Sequence, residues 1–251
     1  MIRPILYTPS GRAGEYSDKG VAANIFTGCD HGCLYCYAPG CRRMNGVEGK
    51  AKFHSSIGTA PDLFARIARD CRKKLPEPIF LCFLCDVYPA NHDIHGITRE
   101  VIKIIIDSGN AVNILTKGGT RAVKDFDLLA RDPRNKIGAT LTFLDNALSR
   151  HWEPLAALPD DRLQMLSAAK DAGITTWASV EPVIVPSESL RAMYFAAPFV
   201  DEFKIGKWNH DPRAKEIDWT KFYQDAKNLM EHLGKKHMFK VDLLEAAGVK
   251  S

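Results

Sequence analysis

Short apolar runs rich in β-formers alternate with amphipathic helical stretches along most of the 251-residue chain. That rhythm restricts the fold more than any other feature. "AANIFTG" at 22–28 leads into a cysteine-rich loop, and "PDLFARIARDCRKKL" at 61–75 follows with helical spacing and proline at its start. "PIFLCFLCD" at 78–86 is a continuous apolar run, as expected of a strand covered on both faces. "TREVIKIIIDSG" at 98–109 opens on a threonine cap and closes at glycine. Strand-then-helix pairs continue at 111–117 and 121–131, at 136–144 and 160–173, at 174–185 and 187–196, and at 200–208 and 218–233. Six βα units in succession predict a parallel sheet, either open and doubly wound or closed into most of a barrel. No G-x-G-x-x-G follows the first strand, so a dinucleotide-binding reading has no support. In either architecture the working residues belong at the carboxyl ends of the strands. There the sequence places Cys29, Asp86, Thr116, Lys117, Thr142, Glu181, Lys207 and Asn209.

Composition narrows the class. Hydrophobic residues make up 45% and charged residues 25%, which is globular usage. No apolar run is long enough to span a bilayer, and "MIRPILYTPSGRAGEY" lacks the apolar stretch of a secretory signal, so a cytoplasmic protein is expected. Seven cysteines, an odd number, fit a reducing compartment better than a disulfide scaffold. The net charge of +4 is mild; the basic patches "CRKK" and "GKKH" sit at expected helix ends, where they complement the dipole. Nucleic acid is admitted as a partner but not demanded.

Four of the seven cysteines fall in "NIFTGCDHGCLYCYAPGC", residues 24–41. Cys29, Cys33 and Cys36 are separated by three and then two residues, and Gly28 and Gly32 let the backbone curl around whatever the thiolates hold. A zinc site wants a fourth ligand, which Cys41, His31 or His54 could supply. An iron–sulfur cluster held by three cysteines leaves one iron open to an outside ligand. Local spacing leaves both standing.

The motif C-x-x-x-C-x-x-C after the first strand of such an array, with the flanks "CLYCY", resembles the radical S-adenosylmethionine enzymes. Within them the chain is most similar to the spore photoproduct lyase-like group, through "GRAGEYS", "NIFTGCDHGCLYCYAP", "TKGG", "LTFLD" and "FKIGKWN" in that order. The resemblance implies an α/β fold, a partial (β/α)6 TIM-type barrel with a cluster-binding loop after strand 1. A single domain over 1–251 is expected, with an N-terminal extension at 1–21 and a C-terminal tail at 234–251 packing on the barrel. It also implies a [4Fe–4S] cluster on Cys29, Cys33 and Cys36, with the amino and carboxylate groups of S-adenosyl-L-methionine on the fourth iron. Reductive cleavage would then give a 5′-deoxyadenosyl radical that abstracts hydrogen from a substrate. An electron donor such as flavodoxin or ferredoxin is the implied partner.

The same resemblance assigns roles residue by residue. Asp86 would accept the methionine ammonium, and Lys117 would meet its carboxylate. Thr116, Thr140 and Thr142 would offer hydroxyls to the cofactor, and Glu181 and Asn209 would touch ribose or substrate. Tyr35 and Tyr37 match tyrosines linked to radical relay. In that group a cysteine ahead of a Ser-Asp pair donates hydrogen, but here counting back from Asp86 reaches Phe83. Cys82 and Cys85 are the neighbouring candidates, and on an extended strand they would face opposite sides. The rival reading is a non-catalytic zinc-binding barrel that docks nucleic acid or a protein partner.

Overall fold

A computed structural model describes residues 4–17, 20–90 and 95–249. Its centre is an eight-stranded sheet in strictly sequential order: β1 (Leu6–Tyr7), β2 (Ala22–Ala23), β3 (Ile79–Leu81), β4 (Val112–Thr116), β5 (Lys136–Thr140), β6 (Thr175–Val180), β7 (Glu202–Ile205) and β8 (Lys236–Phe239). β1 pairs antiparallel with β2, and every later neighbour pairs parallel. A doubly wound sheet would reverse its order partway. Sequential order with right-handed crossovers puts all the helices on one face and curls the sheet into a partial barrel.

Strand alternation divides the core in two. Ile79, Leu81, Val112, Ile114, Ala178, Val180, Phe203 and Ile205 pack with the helices, while Phe80, Trp177 and Leu115 pack inside the barrel around Tyr16 and Ala22. Gly138 on β5 is required by that interior, because a Cβ there would lie 2.6 Å from the Trp177 ring. The outer layer is α3 (Leu63–Asp70), α4 (His95–Asp107), α5 (Phe126–Leu129), α7 (Pro159–Asp171), α8 (Pro186–Ala196) and α9 (Trp219–His232). The connections also carry α1 (Ala38–Cys41), α2 (Gly46–Ser55) and α6 (Asn146–Trp152), and α10 (Val241–Ala246) follows β8. Among the described residues no helix is long and apolar enough to cross a membrane.

The structure amends several expectations. The expected tail supplies β8 and α10, so one more parallel strand is present than the six units predict. The expected extension contributes β1 and a 3-10 turn at Gly11–Glu15 that brings Tyr16 into the barrel; residues 1–3, 18–19 and 250–251 of these segments lie outside the described residues. Thr98 lies inside α4 rather than capping it, and its hydroxyl donates to the Val87 carbonyl at 2.7 Å. The strand expected over 78–86 stops at Leu81, because Cys82 takes a left-handed backbone with φ 73°. Cys82 and Cys85 therefore do not face opposite sides. Both thiols line one cavity, and Cys82 Sγ accepts from the Ile25 amide at 3.4 Å.

Candidate active site at the carboxyl ends of the strands

A cavity of about 300 Å³ opens at the carboxyl ends of the strands. Cys29, Cys33, Cys36, Tyr35, Tyr37, Cys82, Cys85, Asp86, Lys117, Thr140, Glu181 and Asn209 all line it. Thr116 and Thr142 do not: Thr116 lies behind Asp86, and Thr142 is fully buried with its hydroxyl unpartnered.

The cysteine loop is shaped by contacts from three sides. A Cβ on Gly28 would come within 2.5 Å of the Ser56 and Phe53 carbonyl oxygens, so only glycine lets α2 press this closely. The Cys29 amide donates to the Phe53 carbonyl at 3.3 Å, and His54 Nδ1 meets the Cys29 carbonyl at 2.7 Å. From the end of α6 the Trp152 carbonyl accepts from the Leu34 amide at 2.9 Å, and just beyond it the Leu155 amide donates to the His31 carbonyl at 3.1 Å. Asp30 accepts from the Ala90 amide at 2.8 Å. Burial pushes the Cys29 and Cys36 thiols up and takes Cys33 to about 12. All three thus stay protonated at neutral pH until a metal supplies the compensating charge.

Asp86 is held by donors from two strand ends. Its Oδ1 accepts from Thr116 Oγ1 at 2.6 Å and the Tyr88 amide at 2.8 Å, and its Oδ2 accepts from the Lys117 amide at 2.7 Å. His31 Nδ1 lies 3.5 Å from Oδ2. Burial pushes this carboxyl up, but His31 and the three hydrogen bonds more than offset it, so Asp86 sits below the usual carboxylate range. Burial holds His31 itself below its ordinary range, which leaves a neutral imidazole beside an ionised carboxylate.

Beneath the loop lies a charged group that sequence reasoning missed. Arg162 on α7 pairs with Glu153 at 2.5 Å, with both side chains all but inaccessible. The Tyr35 hydroxyl donates to the other Glu153 oxygen, and the Lys117 ammonium sits 5.6 Å from the Tyr35 ring centroid. Burial pulls Lys117 down, but Cys33 and Glu153 raise it by more, so it remains a cation. One signal for Arg162 was readable: it shares the apolar stripe of its helix with Met165, Leu166 and Ala169.

Across the cavity the polar groups bind one another. Glu181 Oε2 accepts from the Tyr16 hydroxyl at 2.6 Å and from Lys240 Nζ at 2.8 Å, while its Oε1 accepts from Asn209 at 3.2 Å. Asn209 also donates to Asp242 at 2.6 Å, and Arg12 lies 3.4 Å from that carboxylate. Tyr16, Lys240, Asp242 and Arg12 come from the two ends of the chain; Arg12 and Tyr16 lie in "GRAGEYS", whereas no motif marks Lys240 and Asp242. Phe83 stacks on Phe80 at 4.1 Å and forms an aromatic wall at the position where the resemblance would have a cysteine.

Among the described residues no three His, Cys, Asp or Glu side chains converge on a point suited to a single metal ion. His31 is occupied by Asp86 and Arg121, and Cys41 is exposed and outside the cavity.

No protein-family model matches the chain. An uncharacterized protein of Mycobacterium tuberculosis is 25% identical over 166 residues, 64% of this chain and 48% of its own length. An uncharacterized protein of Acidianus two-tailed virus is 24% identical over 203 residues, 75% of this chain and 64% of its own. The chain thus spans about half the length of the mycobacterial relatives it matches. Among solved structures, a mutant spore photoproduct lyase with bound S-adenosylmethionine and dinucleoside spore photoproduct aligns with TM-score 0.65 and 15% identity. It covers 87% of this chain and 75% of that one. Streptococcus suis SuiB bound to S-adenosylmethionine aligns with TM-score 0.63 and 11% identity, over 90% of this chain and 51% of that one. The chain therefore has the fold of spore photoproduct lyase and SuiB: an open, mostly parallel partial barrel.

Proposed function

We propose that this protein is a radical S-adenosylmethionine enzyme, carrying a [4Fe–4S] cluster on Cys29, Cys33 and Cys36. The observation that carries the reading is that three free thiols from one loop share a single cavity with the Asp86 carboxylate and the Lys117 ammonium. The donor set fits the group. Three soft sulfur ligands suit an iron–sulfur cluster, each taking a different iron, so they need not converge on one point as zinc ligands must. When bound, the cluster and cofactor supply one-electron cleavage of the sulfonium, yielding methionine and a 5′-deoxyadenosyl radical for hydrogen abstraction. That two proteins of this fold were solved with S-adenosylmethionine supports the same reading.

The chain's own residues then have definite tasks. Asp86, kept ionised by its donors, offers negative charge to the cofactor's ammonium, and Lys117 offers a cation to its carboxylate. Thr140 presents a hydroxyl to the ribose side. Glu153, its charge balanced by Arg162, accepts from the Tyr35 hydroxyl and so positions that ring under the loop. Tyr37 donates to the Phe83 carbonyl at 2.6 Å and so ties the loop to the aromatic wall. The thiols of Cys82 and Cys85 both line the cavity and are the candidate hydrogen source for a product radical.

Anaerobically reconstituted protein with dithionite is expected to convert S-adenosylmethionine to 5′-deoxyadenosine. Tightly bound zinc and no nucleoside product would end the proposal. A narrower form is repair of a thymine lesion, as in spore photoproduct lyase. Oligonucleotides carrying that lesion test it, and unrestored thymines under conditions that do cleave the cofactor would remove it.

A further inference from the structure

We propose that Cys82 and Cys85 form a thiol-modification site inside the cavity, a dithiol that a low-molecular-weight disulfide closes into an intramolecular bridge and an added dithiol reopens. The bridge uses this chain's own sulfurs and needs nothing bound on the cysteine loop. The proposal therefore stands apart from the function above, and only its consequence draws on it.

Chain geometry is the first argument. Cys82 and Cys85 are three residues apart. On a continued strand their Cα atoms would lie about 10 Å apart, whereas a disulfide spans at most about 7 Å. The strand does not continue. Cys82 turns left-handed at φ 73°, and residues 83–85 form a bend. That backbone is uncommon for a side chain with a Cβ, and here it brings both thiols onto one cavity. Electrostatics report the same closeness. Burial first and then Cys82 push the Cys85 thiol up, and both sulfurs add to the burial that raises the Tyr7 hydroxyl.

Anchoring is the second. The bend is clamped to the segment that leads into the cysteine loop. The Cys82 amide donates to the Ala23 carbonyl at 3.0 Å, the Ile25 amide donates to Cys82 Sγ at 3.4 Å, and the Leu84 amide donates to Asn24 Oδ1 at 2.9 Å. Clamped on both sides of Phe83, the thiols keep their places without a loop having to order, so each meets the other at high effective concentration.

Exposure is the third, and it sets the order of events. Cys85 is half-buried, whereas Cys82 is 6% exposed. Cys85 therefore meets the reagent first. Its sulfur attacks the reagent's disulfide, loses its proton and keeps one half as a mixed disulfide, while the other half leaves as a thiol. Cys82 then attacks the Cys85 sulfur and expels the second thiol. Two protein S–H bonds and the reagent's S–S bond are exchanged for one protein S–S bond and two reagent S–H bonds, and two electrons pass from the protein sulfurs to the reagent. On the function proposed above, closure withdraws the cavity's hydrogen source without using Cys29, Cys33 or Cys36.

The test equilibrates the anaerobically reconstituted protein with 2-hydroxyethyl disulfide and mercaptoethanol at stepped ratios, alkylates the remaining thiols in denaturant and maps the tryptic peptides. Peptide 75–99 holds both thiols and no other cysteine. In the parent its doubly alkylated form should fall about tenfold or more as the disulfide share rises, giving way to an unlabelled internal bridge, with the mercaptoethanol adduct always a minor species. Dithiothreitol should restore the labelling, and iron per chain should not change. Cys82→Ser should instead collect the adduct on Cys85, and Cys85→Ser should leave Cys82 open to alkylation. Peptide 75–99 doubly alkylated at every ratio, adducts accumulating on both thiols of the parent, or a cross-link from 75–99 to the loop peptide 20–42 would each overturn the proposal. A bridge that forms in protein unable to cleave S-adenosylmethionine would uphold this proposal and strike only the function above.

Discussion

On the cysteine-loop side of the cavity, Cys29, Cys33 and Cys36 are free, protonated thiols, Cys33 buried and the other two half-buried, with an ionised carboxylate and an ammonium facing the same space. On the opposite side, both oxygens of Glu181 are taken by Tyr16, Lys240 and Asn209, and Asn209 continues to Asp242. One side carries three thiols outside any disulfide. The other uses equally polar residues to join the two chain ends to β6 and β7. Residence in a cavity is therefore a weaker sign of function than the state of a group's hydrogen bonds. On the proposed function the free thiols take the metal, while Asp86 and Glu181, with both oxygens hydrogen-bonded, hold the two walls in place.

Substitutions should separate the two sides. The largest effect is expected at the thiols. Alanine at Cys29, Cys33 or Cys36 should drop iron from about four atoms per chain to below one and abolish cofactor cleavage. Cys41→Ala should keep both, as iron analysis and product assay would show; loss of metal there would favour the zinc reading.

Next comes the charge group under the loop. Glu153→Gln leaves the Arg162 guanidinium buried without its counter-charge, which costs about 3–5 kcal/mol. Denaturant melts should show that loss in the apo-protein, and a shift under about 1 kcal/mol would deny the pair its supporting role.

A smaller effect is expected across the cavity. Lys240→Met removes one donor from Glu181 and should cost about 1–3 kcal/mol while leaving the iron content as it was. Iron loss comparable to that of a cysteine variant would erase the distinction between the two sides.

The smallest effect lies outside both, and it depends on pH. Asp70 accepts from the amides of Ile5 and Leu6 at 2.6 and 3.2 Å and pairs with Arg69, which fastens the N-terminal segment to α3. Burial pushes this carboxyl up, but the Arg69 hydrogen bond and the two amides more than offset it, so it titrates below 3.8. A depressed folded value means the stabilisation is present above about pH 4 and lost as pH falls through the lowered value. Asp70→Asn should therefore cost about 1–2 kcal/mol at pH 7, and the gap should close toward pH 2. A gap that is flat with pH would show that the charge is not what ties the segment down.

The parallel array was readable because its strands and helices announce themselves by period, and the cysteine loop because three like ligands in a short span are rare. What escaped did so for particular reasons. α2 buries only Phe53, so it has no apolar stripe to read. The left-handed backbone at Cys82 is unusual for a side chain with a Cβ, and nothing in "LCFLC" signals it. Glu153 lies in a wide loop, and its meaning appears only when α7 brings Arg162 beneath it. Tyr16 and Lys240 meet over Glu181 from opposite ends of the chain, at 4.4 Å between ammonium and ring centroid, a contact no local pattern encodes.

The central claim is that three cysteines leave one iron for S-adenosylmethionine. Frozen-solution electron paramagnetic resonance of the dithionite-reduced protein, recorded without and then with S-adenosylmethionine, addresses it directly. The account predicts a reduced [4Fe–4S] signal whose g-values shift when the cofactor is added. A signal indifferent to the cofactor, or no iron–sulfur signal in protein that holds zinc, would contradict it.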